Sequence, residues 1–305
     1  MNPAASRSAF SLWLWAVRPF AYSTSITPVC LAAALAVYLG VSAQWLLLAP
    51  ALLASVSIHT ATNLVSDYFD FLKGLDTDES FGSERILVKG FMKPRQILLG
   101  GLFCFAFTAA VGLVFVWIRG WPILVIGLIG MAGGFFYSCD PISYKYRGLG
   151  DPLVFCLMGP LMVVGSFFVL TGSYMHSALL VSLPIGCLVA AILSANNLRD
   201  IAHDSRLGIK TTAGLLGHRR ARQEYAALVL SAYGFVAALL LMRMLPLWSL
   251  LTFLTAPLAI ANVRSALASA PEKPQAIAAL DLRTAALHLT FGLLLIVSLL
   301  LGAFV

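Results

Sequence analysis

Hydrophobic runs of about 20 residues follow one another along this 305-residue chain, separated by short polar breaks. A run of that length crosses the bilayer's hydrocarbon core as an α-helix. Each helix then satisfies its own backbone polar groups, as lipid requires. The runs lie near 22–41, 45–65, 97–118, 121–139, 152–172, 176–197, 224–243, 246–263 and 284–305. They predict an all-α polytopic membrane protein with about nine transmembrane helices. No Gly/Ser linker, low-complexity tract or short internal repeat divides the chain, so residues 1–305 read as a single membrane domain. Composition agrees: 11% of residues are charged and 60% hydrophobic, against about 25% charged in soluble domains. The first apolar stretch runs on past Arg18 and Pro19 without a clear cleavage site, unlike a signal peptide.

Charge placement orients the spans. With a cytoplasmic N-terminus, the inner side receives every basic residue except Arg119 and Arg243. The positive-inside rule therefore puts residues 66–96 and 198–223 in the cytoplasm and the C-terminus outside. All acidic residues fall on the same side, so the chemistry belongs there. The expected location is a bacterial inner (cytoplasmic) membrane. The net charge of +7 is matched by anionic lipid headgroups, and no nucleic-acid partner is expected. The five cysteines show no CxxC or CxxH spacing, which leaves no zinc motif.

Two acidic clusters interrupt this pattern. Span two ends in NLVSDYFDFLKGLDTD, where Asn63, Asp67 and Asp70 are spaced i, i+4, i+7 on one helix face. Asp76 and Asp78 follow Lys73 and Gly74. Span six ends in SANNLRDIAHDSRLGIKTT, where Asn196, Asp200 and Asp204 again share a face. A solvated loop accounts for Asp78, Glu79 and Glu84. It explains the Asn-to-Asp periodicity poorly. Carboxylates at a helix C-terminus oppose the macrodipole, and like charges on one face repel. A divalent cation removes both costs. Magnesium takes one or two carboxylates together with phosphate oxygens and water, so two facing clusters would clamp a diphosphate.

These segments resemble the UbiA superfamily of intramembrane aromatic prenyltransferases, over almost the whole chain. The residues that carry the resemblance are WAVRPFAYSTSITPV, TNLVSDYFDFLKGLDTD, YSCDPISYKYRGLGDP and NNLRDIAHDSRLGIKTTA. Within the superfamily they are most similar to the branch acting on 1,4-dihydroxy-2-naphthoate in menaquinone synthesis. One departure is Ser66, where family members often carry Asn. The resemblance implies that Asn63, Asp67, Asp70 and Asp76 hold one Mg²⁺ and that Asn196, Asp200 and Asp204 hold another. It implies that Arg18, Lys145, Arg147 and Lys210 approach the diphosphate, and that Tyr137 lies near the breaking C–O bond. The plainer alternatives are positive-inside charges for Lys145 and Arg147 and an interfacial tyrosine for Tyr137. His59, His203 and His288 are conceivable proton acceptors, with hydrogen-bonded structural histidines as the plainer reading. Gly133-Gly134, and Gly159-Pro160 with Gly165, suit close helix packing or kinks around a cavity.

The implied reaction transfers a polyprenyl group from polyprenyl diphosphate to an aromatic carbon, with catalytic weight on Asp67, Asp200, Tyr137 and Lys145. For a naphthoate acceptor, CO₂ is lost and demethylmenaquinone results. The rival within the class is a relative using 4-hydroxybenzoate or another aromatic acceptor. The rival outside it is a cation-coupled transporter, whose sites sit near the bilayer midplane at broken helices rather than at helix ends.

Overall fold

The computed structural model describes residues 8–76 and 86–304. Arg7, Asp78, Glu79, Glu84 and Arg85 lie outside the described residues. Among those described, the chain is helical with no strand. The helices are α1 (Ala9–Val17), α2 (Ser23–Tyr38), α3 (Leu48–Leu72), α4 (Pro94–Arg119), α5 (Trp121–Phe135) and α6 (Gly150–Cys156). They continue as α7 (Met162–Thr171), α8 (His176–Arg206), α9 (Thr212–Leu216), α10 (His218–Leu241), α11 (Ala256–Leu267) and α12 (Leu280–Phe304).

Seven stretches among the described residues are long and apolar enough to cross a membrane. The chain is an integral membrane protein. Two of the nine expected spans, α2 and α5, are shorter apolar helices of 16 and 15 residues. At about 1.5 Å per residue, α5 is about 22 Å long, short of the roughly 30 Å hydrocarbon core. It stops early because the following chain folds back on it. Tyr144 donates its hydroxyl to the Gly133 carbonyl at 2.6 Å, and the Lys145 amide donates to the Tyr137 carbonyl at 2.9 Å. By contrast, α3 and α8 run past the expected ends at 65 and 197, so Asp67, Asp70, Asp200 and Asp204 are helical, while Asp76 lies beyond the end of α3.

Terminal chemistry explains the helix limits. Pro94 opens α4, where its missing N–H costs nothing. The Gln96 side chain accepts from the Lys93 amide at 2.8 Å. Gly120, at φ 80°, separates α4 from α5. Arg119, one of two basic residues outside the inner set, caps α7 from alongside. It donates to the Val169 and Leu170 carbonyls at 2.7 Å each, where the helix dipole favours a cation.

The largest core cluster joins α2, α8, α10 and α12 through residues such as Leu35, Leu188, Tyr225 and Phe291. α12 packs along α2 and α8, which brings the two ends of the chain together. A π-helical turn, Leu157–Leu161, contains Pro160 and links α6 to α7. There Gly159 meets α8 so closely that an added Cβ would lie 2.5 Å from the Gly186 Cα. Gly159→Ala must push two backbones apart, and we expect it to cost about 1–3 kcal/mol. The measurement is a lowered thermal midpoint in detergent. Gly234→Ala, in the interior of α10 and meeting nothing within 4 Å, should not lower that midpoint and should raise it slightly, since alanine favours helix by about 1 kcal/mol over glycine.

Candidate active site

Helix α3 presents His59, Asn63, Asp67 and Asp70 to a cavity of about 400 Å³. Asn196, Asp200, His203 and Asp204 of α8 form the facing wall. Arg18, Asp76, Tyr137, Lys145, Tyr146 and Asp281 are among the other polar residues that line it. The cavity thus brings together every acid and amide singled out above within the described residues, from two segments about 130 positions apart in sequence.

The carboxylates are paired. Arg18 lies at the αL turn that ends α1, with φ 51°, and its Nη2 is 2.5 Å from Asp67 Oδ1. Lys145 Nζ is 2.6 Å from Asp70 Oδ2. Tyr146 donates its hydroxyl to the other oxygen of Asp70. Ser66 lies 3.1 Å from Lys145 Nζ and donates to Asp70 Oδ2 at 3.2 Å. Asp67 and Asp70 are only 8% and 7% exposed, so each unpaired charge would carry a large desolvation cost. Ser66 therefore bonds within this network. Burial pushes the Asp76 carboxyl above its usual range, and the nearby Asp70 carboxylate adds to the shift.

On α8 the hub is Arg199, 4% exposed. Its guanidinium forks onto both oxygens of Asp200, at 2.9 and 2.8 Å. It also donates to Asp281 Oδ2 at 2.8 Å and to the Asn196 side-chain oxygen. Planar, multidentate geometry of this kind is specific to arginine.

Tyr137 lies beyond the end of α5, with Lys145 Nζ 5.6 Å from its ring centroid. Tyr144 packs edge-on to it at 5.3 Å. Burial pushes the Tyr137 phenol up, so the ring stays neutral. Lys73, on the α3 side, stands 4.4 Å from the Tyr146 ring centroid and 3.1 Å from Asp140 Oδ1.

Arg147 and Lys210 do not line the cavity. They form an isolated backbone bridge with each other, and Arg147 donates to the Pro141 carbonyl. The histidines separate in the same way. His59 lines the cavity with Nδ1 2.8 Å from Ser25 Oγ, and His203 lies 3.4 Å from the Leu75 carbonyl. His288 is fully buried away from the cavity, with neither ring nitrogen hydrogen-bonded to a side chain or backbone group among the described residues. Tyr146, Arg199 and Asp281 were not singled out from the sequence. Tyr146 was readable as the neighbour of Lys145 in SYKYRG. Asp281 carries no local signal, since it opens a different helix from its partner.

Among the described residues, then, the bundle is all-helical and gathers acids and bases from the ends of its helices around one cavity, the outline of a membrane-embedded site for a charged group. The chain belongs to the UbiA prenyltransferase family, whose model matches residues 25–285, and it is an integral membrane prenyltransferase. It is 34% identical over 292 residues to 1,4-dihydroxy-2-naphthoate octaprenyltransferase of Bacillus subtilis, covering 95% of this chain and 93% of that protein. Its fold resembles the apo structure of a UbiA homolog from Aeropyrum pernix K1, with a TM-score of 0.69 at 16% identity over 90% of this chain and 97% of that one. It also resembles a UbiA homolog from Archaeoglobus fulgidus bound to GPP and Mg²⁺, with a TM-score of 0.61 at 16% identity over 94% and 99% of the two chains.

Arg199 tests the α8 network. Arg199→Met leaves Asp200 and Asp281 without their shared cation. Removing one partner of a buried pair costs about 3–5 kcal/mol, and the low end applies where the acids keep some exposure. Their side chains are 17% and 20% exposed. The expected result is a thermal midpoint well below that of Asp281→Asn, which keeps the arginine and one acid.

Proposed function

We propose that the protein transfers a polyprenyl group from polyprenyl diphosphate to 1,4-dihydroxy-2-naphthoate, with release of diphosphate and CO₂, to give the quinol form of demethylmenaquinone, which a separate two-electron oxidation converts to the quinone. The observation that carries this reading is the single cavity in which two amide–carboxylate faces and two bases converge. A second cavity of about 330 Å³, almost wholly apolar, adjoins it, and Ile58, Gly130, Leu157 and Met162 line both. A charged head and an apolar tail have places side by side. The similarity to the Bacillus subtilis enzyme over nearly the full length of both chains supports the acceptor.

The donor set fits Mg²⁺. Among the described residues, no three His, Cys, Asp or Glu side chains form a metal cage. Mg²⁺ needs only one or two carboxylates when diphosphate oxygens and water supply the rest. Asn63, Asp67, Asp70 and Asp76 would hold one ion, and Asn196, Asp200 and Asp204 the other. Mg²⁺ held there would supply positive charge to neutralise the diphosphate, which would make it a better leaving group. Arg18 and Lys145 bind its oxygens, Arg18 as a fork and Lys145 as a point charge. Tyr137 turns a neutral aromatic ring toward the reacting end, where it stabilises positive charge on the allylic carbon. The surrounding apolar walls keep water from that carbon. The acceptor's ring carbon attacks it as the C–O bond breaks.

The protein forms one membrane domain of about nine spans in a bacterial inner membrane, with the N-terminus and the site on the cytoplasmic side. A cysteine placed at Ser205 in a cysteine-free background should react in sealed cells with permeant reagents alone. Labelling by an impermeant reagent reverses the orientation.

Two assays test the chemistry. Asp67→Asn and Asp200→Asn should each insert and purify normally but lose about 10²–10⁴-fold in transfer, which corresponds to several kcal/mol of transition-state stabilisation. Full activity in EDTA, or near-normal turnover in either variant, removes the metal clamp. For the acceptor, 1,4-dihydroxy-2-naphthoate should react much faster than 4-hydroxybenzoate, because a smaller ring fills the site poorly and rarely reaches attack geometry. Mass spectrometry should find the naphthoate product short of its carboxyl group. A product that keeps it, or faster benzoate transfer, means a different acceptor.

A further inference from the structure

His59 lines the cavity from α3, and the chemistry above gives it no role. The acids at the two helix ends are assigned to metal, and Arg18 and Lys145 to the diphosphate. His59 stands four residues before Asn63 and eight before Asp67. At about 1.5 Å per residue, it lies about 6 and 12 Å farther from the end of α3 than they do. A diphosphate held between Asn63 and Asp70 has its allylic carbon on that side, because the apolar tail turns away from the polar helix ends.

The imidazole is held in one orientation. Ser25 of α2, fully buried, has its Oγ 2.8 Å from His59 Nδ1. Tyr22 packs edge-on against the ring, with centroids 6.3 Å apart. Its own hydroxyl lies 3.0 Å from Thr60 Oγ1. His59 Nε2 has no hydrogen-bond partner among the described residues. Unlike the nitrogens of His288, it is not sealed in the core, so it opens on the cavity. A histidine with Nδ1 engaged and Nε2 turned to a substrate space has the geometry of a general base.

The acceptor's chemistry calls for one. In 1,4-dihydroxy-2-naphthoate, the ring carbon that carries the carboxylate is next to one that carries a hydroxyl. When that hydroxyl gives up its proton, the oxygen's electron pair pushes into the ring, and the carboxylate-bearing carbon attacks the allylic carbon. The C–O bond to diphosphate breaks with its electron pair. The attacking carbon now has four single bonds and a carbonyl beside it. That is a β-keto carboxylate, a class that loses CO₂ readily. The electrons of the broken C–C bond pass to the carbonyl oxygen as an enolate. Returning the proton to that oxygen restores the aromatic quinol. One proton is lent and given back, and none is consumed.

We propose that His59 Nε2 takes the proton of the hydroxyl beside the acceptor's carboxylate and returns it once CO₂ has left. Ser25 is a positioning residue: it accepts the Nδ1–H, which leaves the lone pair on Nε2. This deepens the naphthoate reading and rests on it.

The test uses the full-length protein as wild type, His59→Phe, His59→Gln and Ser25→Ala, with thermal midpoints to confirm folding. Each is offered 1,4-dihydroxy-2-naphthoate and its two monomethyl ethers. The 4-ether keeps the hydroxyl beside the carboxylate, and the 1-ether blocks it. With the parent compound and the 4-ether, both His59 variants should lose about 10²–10⁴-fold in kcat. Their KM for polyprenyl diphosphate should stay within about twofold. A second arm measures acceptor binding by calorimetry. Wild type should bind the 4-ether about tenfold more tightly than the 1-ether, the worth of one hydrogen bond. That preference should vanish in His59→Phe and narrow in Ser25→Ala. It should persist in His59→Gln, since glutamine accepts a hydrogen bond but not a proton. Near-normal turnover in either His59 variant, or an undiminished preference in His59→Phe, overturns the proposal. A wild type that prenylates no naphthoate fails the acceptor reading, and the proposal falls with it. A wild type that prenylates them without this pattern fails the proposal alone.

Discussion

Asp67 and Asp70 stand in the last two turns of α3, where the helix dipole already presents negative charge. Their burial makes an internal partner obligatory, since an unpaired charge at such a depth costs several kcal/mol. Much of the local architecture follows from supplying those partners. The chain leaves α1 through a left-handed residue, Arg18, whose guanidinium then reaches Asp67. It leaves α5 early, and the loop that folds back delivers Lys145 and Tyr146 to Asp70. On the opposite wall Arg199 does the same for Asp200 and ties it to the start of α12 through Asp281. Hydrophobic packing holds the helices together but is non-directional. The ion pairs fix which loops face the cavity.

The cavity itself depends on interrupted helices. Regular helices pack to near-crystalline density and leave few voids. Here α5 ends at Phe135, and the π-helical turn at 157–161 breaks the line between α6 and α7. Both interruptions border the cavity, through Tyr137 on one side and Leu157 and Met158 on the other. π-Bulges recur at functional sites because the extra residue frees the helix from its regular register. Gly159 against Gly186 keeps the interrupted segment close to α8, so the space opens toward α3 rather than collapsing.

The parts legible in the sequence were those with a local period. Asn63, Asp67 and Asp70, like Asn196, Asp200 and Asp204, share helix faces at spacings that can be read without a structure. Hydrophobic runs gave the helices, but hydropathy cannot see where a helix stops. Residues 136–139 read as the tail of the span expected over 121–139, although they lie in the turn that follows α5. Arg18 has no spacing relation to Asp67, and only the family resemblance brought it forward. Arg147 and Lys210, which the resemblance also brought forward, sit close in sequence to site residues, but their backbones bridge each other and neither lines the cavity. Asp281 was invisible because its partner lies on another helix, and long-range pairing leaves no periodic trace.

The same ion pairs bear on how the proposed site accepts a substrate. Arg18 and Lys145 are each matched to a carboxylate that the proposed function assigns to a cation. On that proposal, a diphosphate arriving with divalent ions would offer each base a phosphate oxygen and each carboxylate a metal. The exchange replaces one set of opposite-charge contacts by another, so no charge is left stranded in a low-dielectric wall at any stage. Arg199 stands differently. It is 4% exposed, and its fork is already shared among Asn196, Asp200 and Asp281. Leaving them would strand two acids at once. It is therefore built to hold Asp200 in place rather than to follow the substrate. The two walls divide the work physically: one carries bases with a single carboxylate partner to give up, and the other carries a carboxylate whose position is fixed before any ligand binds.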